Sequence, residues 1–276
     1  MRLLTTALTM ALLGAPAADD PPRVLYVGDS VAAQNASALA AALPGSSLHD
    51  HTLGGTAVCD YLSGTPTWLP SSAKFAQSIR DVRPDLVVLQ FWGNEYWSPC
   101  ANHTRRGTTE FYDLYFWNAL SARREIDEAA DAIGIPRPKM LWVLQAPMPA
   151  PQREVPRRLN EIYQYAASVS GDRVTDAGAT VSMAAYPYDN LPKDRYEFTR
   201  FLPCDETERS GGLCTDPESF GGVTRLHTDT DDIHYCLDGR DPSRTCSGPA
   251  PGIARYVKRI SADARAWLDE SHAAHR

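Results

Sequence analysis

The chain has 276 residues and a formal net charge of -7, from 27 Lys+Arg against 34 Asp+Glu. That length suffices for one α/β domain with a full core. The acidic balance, with its basic residues scattered in short pairs such as Arg105-Arg106, Arg123-Arg124 and Arg157-Arg158, excludes the basic face that nucleic-acid binding needs.

Met1-Arg2 opens the chain, Leu3 to Leu13 is almost wholly apolar, and Ala15-Pro16-Ala17 follows. A charged start, a short apolar core and a small-x-small site make a secretory signal, expected to be cleaved near Ala17. The apolar stretch is about half of what a bilayer span requires, so no stable membrane insertion is expected after cleavage. An uncleaved anchor is the alternative reading of the same segment. Residues 1–17 are therefore assigned to the signal and 18–276 to a single domain, with a secreted or cell-surface location.

Past the signal, apolar runs alternate with segments of helical period, the pattern of a parallel sheet covered on both faces. Strands are expected at Val24–Val27, weakly up to Leu53, at Leu86–Phe91, at Met140–Leu144 and around Val174. Leu86–Phe91 is the most apolar and should be central. Helices are expected from Ser30 to Leu43, from Thr108 or Thr109 toward Gly134, across Leu159, Ile162, Tyr163, Ala166 and Val169 with Gly171 as the stop, and across Ile253 to Leu268. The 186–222 stretch is rich in Pro, Gly, charge and cysteine, and long for a connection, a mark of functional or poorly ordered loops.

Six cysteines suit an oxidising compartment. Cys204 and Cys214 bracket one turn-rich loop and Cys236 and Cys246 another, so each pair reads as a local clip. Cys59 and Cys100 are paired by elimination. No Cys-x-x-Cys or Cys/His spacing suggests zinc.

The chemistry is concentrated at three strand ends and one C-terminal loop. Gly28-Asp29-Ser30 follows the first strand and opens a helix, the setting that exposes a nucleophilic serine. Serine at such a turn can equally be a plain helix cap. Asp231-x-x-His234 supplies a base and, three residues earlier, a carboxylate able to reach its Nδ1–H. His227, Asp229 and Asp232 lie close by and are the rival members. The Asp229-x-Asp231-Asp232 run lacks the glycine and terminal glutamate of a calcium loop. Gly54-Gly55-Thr56 and Gly93-Asn94-Glu95 end two further apolar runs and offer backbone N–H groups and a side-chain amide to an oxyanion. Trp68, Trp92, Tyr96 and Trp97 lie in or beside these loops and could stack on sugar rings, line an acyl pocket or simply pack.

These residues, in this order over nearly the whole mature chain, resemble the SGNH (GDSL-type) hydrolases. The resemblance implies a three-layer α/β/α fold with a flavodoxin-like parallel sheet of about five strands. It implies that Ser30 is the nucleophile, His234 the base and Asp231 its orienting partner. The Ser30 N–H, the Gly55 N–H and Asn94 Nδ2 would form the oxyanion hole, Gly55 rather than Gly54 because the family glycine precedes a short polar residue. One departure is that glycine stands directly before Asn94, where the family commonly has Gly-x-Asn. Gly-Gly-Thr-Ala-Val-Cys-Asp also resembles the secreted branch related to domains fused to membrane O-acyltransferases.

The expected function is a serine esterase acting on short O-acyl esters, with carbohydrate as the substrate class, Trp92, Tyr96 and Trp97 as substrate-binding residues, no cofactor and a monomeric state. Two rival readings are an O-acyltransferase with the same triad and a non-catalytic carbohydrate-binding module. Acceptor competition separates the first; the intact Ser30, Asp231 and His234 speak against the second.

Overall fold

A computed structural model describes residues 20–101, 104–185, 196–219, 222–238 and 246–274. The expected signal segment, and parts of the 186–222 loop, lie outside these residues.

Five strands carry the domain: β1 (Arg23–Gly28), β2 (Ser47–Thr52), β3 (Leu86–Gln90), β4 (Lys139–Val143) and β5 (Arg173–Thr175). All pair in parallel, in the order β2-β1-β3-β4-β5. The helices between them are α1 (Ser30–Ala42), α2 (Phe75–Val82), α3 (Thr109–Ala132) and α4 (Glu154–Ser170). The last helix, α6 (Pro251–Ala274), follows a small antiparallel sheet of β6 (Phe201–Pro203) and β7 (Val223–Arg225), between which lies the short helix α5 (Glu206–Ser210).

Two-residue alternation along buried strands divides the core in two. Leu25, Val27, Val87, Leu89, Met140 and Trp142 pack toward α2, α3 and α4. Val24, Tyr26, Leu86, Val88, Leu141 and Val143 pack toward α1 and α6. Both sets are buried. The three-layer expectation and the strand count hold. The predicted helices form, α3 with Thr108 as its cap and α4 stopped by Gly171 in the left-handed region. The eight-residue helix α2 was not anticipated, nor was the β6–β7 sheet within the long loop.

Strand order reverses between β1 and β3, whose neighbours lie on opposite sides. In open α/β sheets the crevice beyond the carboxyl ends at such a switch point is where ligands bind. Gly28, Thr52 and Gln90 are in register there, so the turns after β1, β2 and β3 meet at one place.

Candidate active site

Gly28 ends β1 where two chains nearly touch. A Cβ built there would lie 2.2 Å from the Gln90 carbonyl oxygen and 2.4 Å from the Ala32 Cβ. Any side chain would push β1 from β3 or α1 from the sheet. Gly28→Ala is expected to cost roughly 2–4 kcal/mol and lower the melting temperature by about 10 °C. Calorimetry checks this, and a change within about 2 °C would mean that the turn absorbs a methyl group freely.

Asp29, not Ser30, caps α1. Its Oδ1 accepts the Val31 N–H at 3.0 Å. Ser30 is the first helical residue and its hydroxyl is left for other use: Ser30 Oγ lies 2.7 Å from His234 Nε2. His234 Nδ1 lies 2.9 Å from Asp231 Oδ2, and Asp231 Oδ1 accepts the backbone N–H groups of Ile233 and His234, each at 3.0 Å. Burial alone would raise the Asp231 carboxyl. The hydrogen bonds from His234 outweigh it and hold Asp231 well below the usual carboxylate range. Asp231 is thus an anion at any working pH, and its bond requires the proton of the neutral imidazole to be on Nδ1. Nε2 then faces Ser30 as an acceptor.

The neighbours that could have taken these places are otherwise engaged. Both Nε and Nη2 of Arg200 donate to Asp232 Oδ1, at 2.9 and 2.7 Å. Asp229 pairs with Arg225 at 2.8 Å. His227 is buried, its Nδ1 donates to the His234 carbonyl at 3.0 Å, and its ring packs at a tilt against Tyr235, with centroids 4.8 Å apart. Burial pushes the His227 imidazole down to about 4, so it is neutral at neutral pH and serves as a brace under His234.

His234 stands on no helix or strand, and its position is fixed by contacts from three directions. The Tyr235 N–H donates to Gln34 Oε1 at 3.0 Å. Gln34 lies one helical turn beyond Ser30, so α1 holds both ends of the Ser30–His234 contact. The Leu226 N–H donates to the Arg200 carbonyl, and the Cys204–Cys214 disulfide, with Cα atoms 5.6 Å apart, ties the β6–β7 region. Cys236–Cys246 closes the loop after His234, at 5.2 Å.

The third group of residues surrounds Asp29. Its Oδ2 accepts the Trp92 N–H at 2.6 Å and Asn94 Nδ2 at 3.2 Å. Burial pushes its carboxyl up to about 6, against the pull of the Trp92 and Val31 N–H groups. Asn94 Nδ2 also donates to the Thr56 carbonyl at 3.1 Å, so both amide protons are engaged inside the protein. Among the described residues no protein acceptor takes the backbone N–H of Ser30 or of Gly55. Gly93 has φ +116° and its Cβ position would lie 2.7 Å from Leu159 Cδ1. It turns the chain sharply out of β3, which is why it can stand directly before Asn94.

Beside these, Glu95 is wholly buried and its Oε1 accepts the Val58 N–H at 3.3 Å. Burial raises its carboxyl well above the ordinary value. The Cys59–Cys100 disulfide joins the same two loops, with Cα atoms 5.9 Å apart. All three expected pairings are present. Of the aromatic residues, Trp92 is 5 % exposed and Trp97 is 66 % exposed; Tyr96 lies between them, half-buried. Trp92 is therefore a packing residue of the α1–α6 side, with little open face for a ligand, whereas Trp97 and Trp68 present theirs to solvent.

The sequence points to Asp29 only as part of the Gly-Asp-Ser turn and to His227 only as a rival to His234, and not to Gln34 or Arg200. Gln34 had a signal: a large polar residue four positions after Ser30 on an alanine-rich helix. Arg200 had none, because the small sheet that delivers it has three-residue strands.

No protein-family model and no curated protein matches the chain. Among solved structures it is similar to Est24, a carbohydrate acetylesterase from Sinorhizobium meliloti, at 16% identity and a TM-score of 0.52, over 89% of this chain and 99% of that one. The aryl esterase of M. smegmatis matches over 57% of this chain and 85% of its own, at 19% identity and a TM-score of 0.44. Axe2, an acetylxylan esterase from Geobacillus stearothermophilus, matches over 58% and 77%, at 13% identity and 0.43. The likeness to Est24 shows a shared fold over nearly the full length of both chains, and that fold is the five-stranded parallel α/β/α architecture expected of an SGNH-type hydrolase.

Proposed function

We propose that this protein is a secreted serine esterase that removes short acyl groups, acetyl foremost, from oxygen atoms of a carbohydrate. The observation that carries this is the Ser30 Oγ–His234 Nε2–Nδ1–Asp231 chain, with contacts of 2.7 and 2.9 Å at the switch point of the sheet. His234 Nε2 takes the Ser30 proton as Ser30 Oγ bonds to the ester carbonyl carbon. The carbonyl oxygen becomes an anion facing the Ser30 and Gly55 N–H groups. The tetrahedral species collapses, the alcohol leaves with the proton from His234, and Ser30 holds the acyl group. Water, deprotonated by His234, then repeats the sequence and releases the acid.

Asn94 supplies the third donor by giving up its bond to the Thr56 carbonyl while Asp29 keeps hold of the amide. Asn94→Ala is expected to lower kcat by roughly 10²–10³ with little change in KM. A rise in KM alone would make Asn94 a substrate-binding residue instead.

The carbohydrate part draws on the exposed rings of Trp68 and Trp97, whose faces can stack on sugar C–H bonds, and agrees with what Est24 acts on. Secretion draws on the signal segment and on three disulfides, which suit an oxidising compartment. The test is turnover of p-nitrophenyl acetate, then a series of longer acyl chains, then acetylated glycans with and without added sugar acceptors. Release of free acetate, falling with acyl length, is the expected result. Failure to cleave any ester would contradict it, and acyl transfer to the added sugar in preference to water would make the protein an acyltransferase.

A further inference from the structure

Arginines that this fold withdraws from water are given a carboxylate, with one exception among the described residues. Arg106, Arg123, Arg200, Arg225 and Arg255 are buried or half-buried. Arg123 pairs with Asp127 and Asp172, Arg200 with Asp232 at 2.7 Å, Arg225 with Asp229 at 2.8 Å and Arg255 with Glu208 at 2.6 Å. Arg106 has no such partner among the described residues. Its Nη1 donates to Gln152 Oε1 at 3.1 Å, and its Nε is buried with no hydrogen-bond partner.

The guanidinium is held in place by rings. Its carbon lies 4.3 Å from the Trp92 ring centroid and 3.7 Å from that of Tyr96. Ring faces offset only part of what a charge loses when it leaves water, and a carboxylate offsets more. The cost shows in the Arg106 pKa, which burial lowers from the ordinary arginine value. A cation kept in this condition has a use for an anion. The rings that hold the cation belong to the segment that carries Asn94. Trp92 and Tyr96 flank Asn94 by two residues on either side, and the Trp92 N–H bonds to the same Asp29 oxygen as Asn94.

We propose that Arg106 is a specificity-determining residue that binds a carboxylate carried by the substrate, so that the preferred ester is an acidic one, such as an acylated uronate. This rests on the reading of the Ser30 site as an esterase. A guanidinium presents paired N–H groups that match a carboxylate, and clamping it between two rings before the ligand arrives lowers the ordering cost of binding. The carboxylate can sit on the alcohol part or on the acyl part of the ester.

Two pairs of esters separate these sources. 4-Acetoxybenzoate and its methyl ester place or remove the charge on the alcohol side. Mono-p-nitrophenyl succinate and its methyl ester do so on the acyl side. The wild-type enzyme is expected to show kcat/KM at least about tenfold higher for the charged member of one pair, and that pair identifies the side. In Arg106→Gln the ratio should fall to about one, and Arg106→Lys, which keeps the charge but not the fork, should retain part of it. Equal or lower kcat/KM for the charged member of both pairs in the wild type, a result that depends on no variant folding, would overturn the proposal. So would a preference that survives in Arg106→Gln. Turnover of neither member of either pair would count against the esterase reading itself, and the inference falls with it.

Discussion

Replacement of Ser30 by alanine should reduce ester hydrolysis by about 10⁴-fold or more while leaving the fold intact, and His234→Ala should do the same. The two losses should be similar because the residues act as one unit. Without Ser30 Oγ there is no acyl-enzyme; without His234 Nε2, at 2.7 Å, the hydroxyl keeps its proton. The double variant should be hardly worse than either single one. Folding should survive Ser30→Ala because the helix is capped by Asp29 rather than by Ser30. The check is steady-state turnover of p-nitrophenyl acetate, with melting temperatures measured alongside. A Ser30→Ala protein with near wild-type turnover would remove the mechanism.

Two adjacent carboxylates give the second large effect. Asp231→Asn should cost several orders of magnitude in kcat, because the amide no longer demands a proton on His234 Nδ1 and can favour the wrong tautomer. Asp232→Asn should change kcat by less than about tenfold. Its Oδ1 faces Arg200 rather than His234, and the half-exposed pair contributes about 1 kcal/mol or less. The pair of variants is a sharp comparison, since charge, size and position in sequence are nearly matched. A crippling Asp232→Asn beside a mild Asp231→Asn would mean that the two carboxylates have exchanged roles.

What could be read from the sequence follows the strength of local patterns. Leu86–Phe91 and Val24–Val27 are continuous apolar runs bounded by turn residues, and both are central strands. Ser30 and the Asp231–His234 spacing stood out because a turn serine and a carboxylate three residues before a histidine each have geometric meaning within a few residues. The contacts that assemble these pieces are long-range and leave no such mark. Gln34 reaches Tyr235 across 201 residues of sequence, and Arg200 reaches Asp232 from the residue just before a three-residue strand. Asp29 was visible as a member of Gly-Asp-Ser, but its triple duty toward Val31, Trp92 and Asn94 depends on β1 and β3 being neighbours. Trp92 shows the limit from the other side. A tryptophan at a strand end reads as a ligand platform, yet Trp92 is buried in the core layer that also holds residues of α1 and α6, and its ring carries the Arg106 guanidinium.

The arrangement also explains why the site is clipped by disulfides. Gly55 and His234 stand on loops, and Asn94 opens a single turn of 3-10 helix (Asn94–Tyr96) between loop segments; loops are the most mobile parts of a fold. Cys59–Cys100 ties the Gly55 and Asn94 segments together, and Cys204–Cys214 with Cys236–Cys246 restrains the segment that carries His234. Such ties limit how far these segments can move relative to one another.

The central claim is that Ser30 is a nucleophile activated by His234. It is tested most directly by treating the protein with diisopropyl fluorophosphate and mapping the adduct by mass spectrometry. The expected result is one diisopropylphosphoryl group per chain, on Ser30, formed in step with loss of esterase activity, absent in Ser30→Ala and greatly slowed in His234→Ala. Activity lost with the label on another residue, or equal labelling of Ser30 with and without His234, would contradict the account.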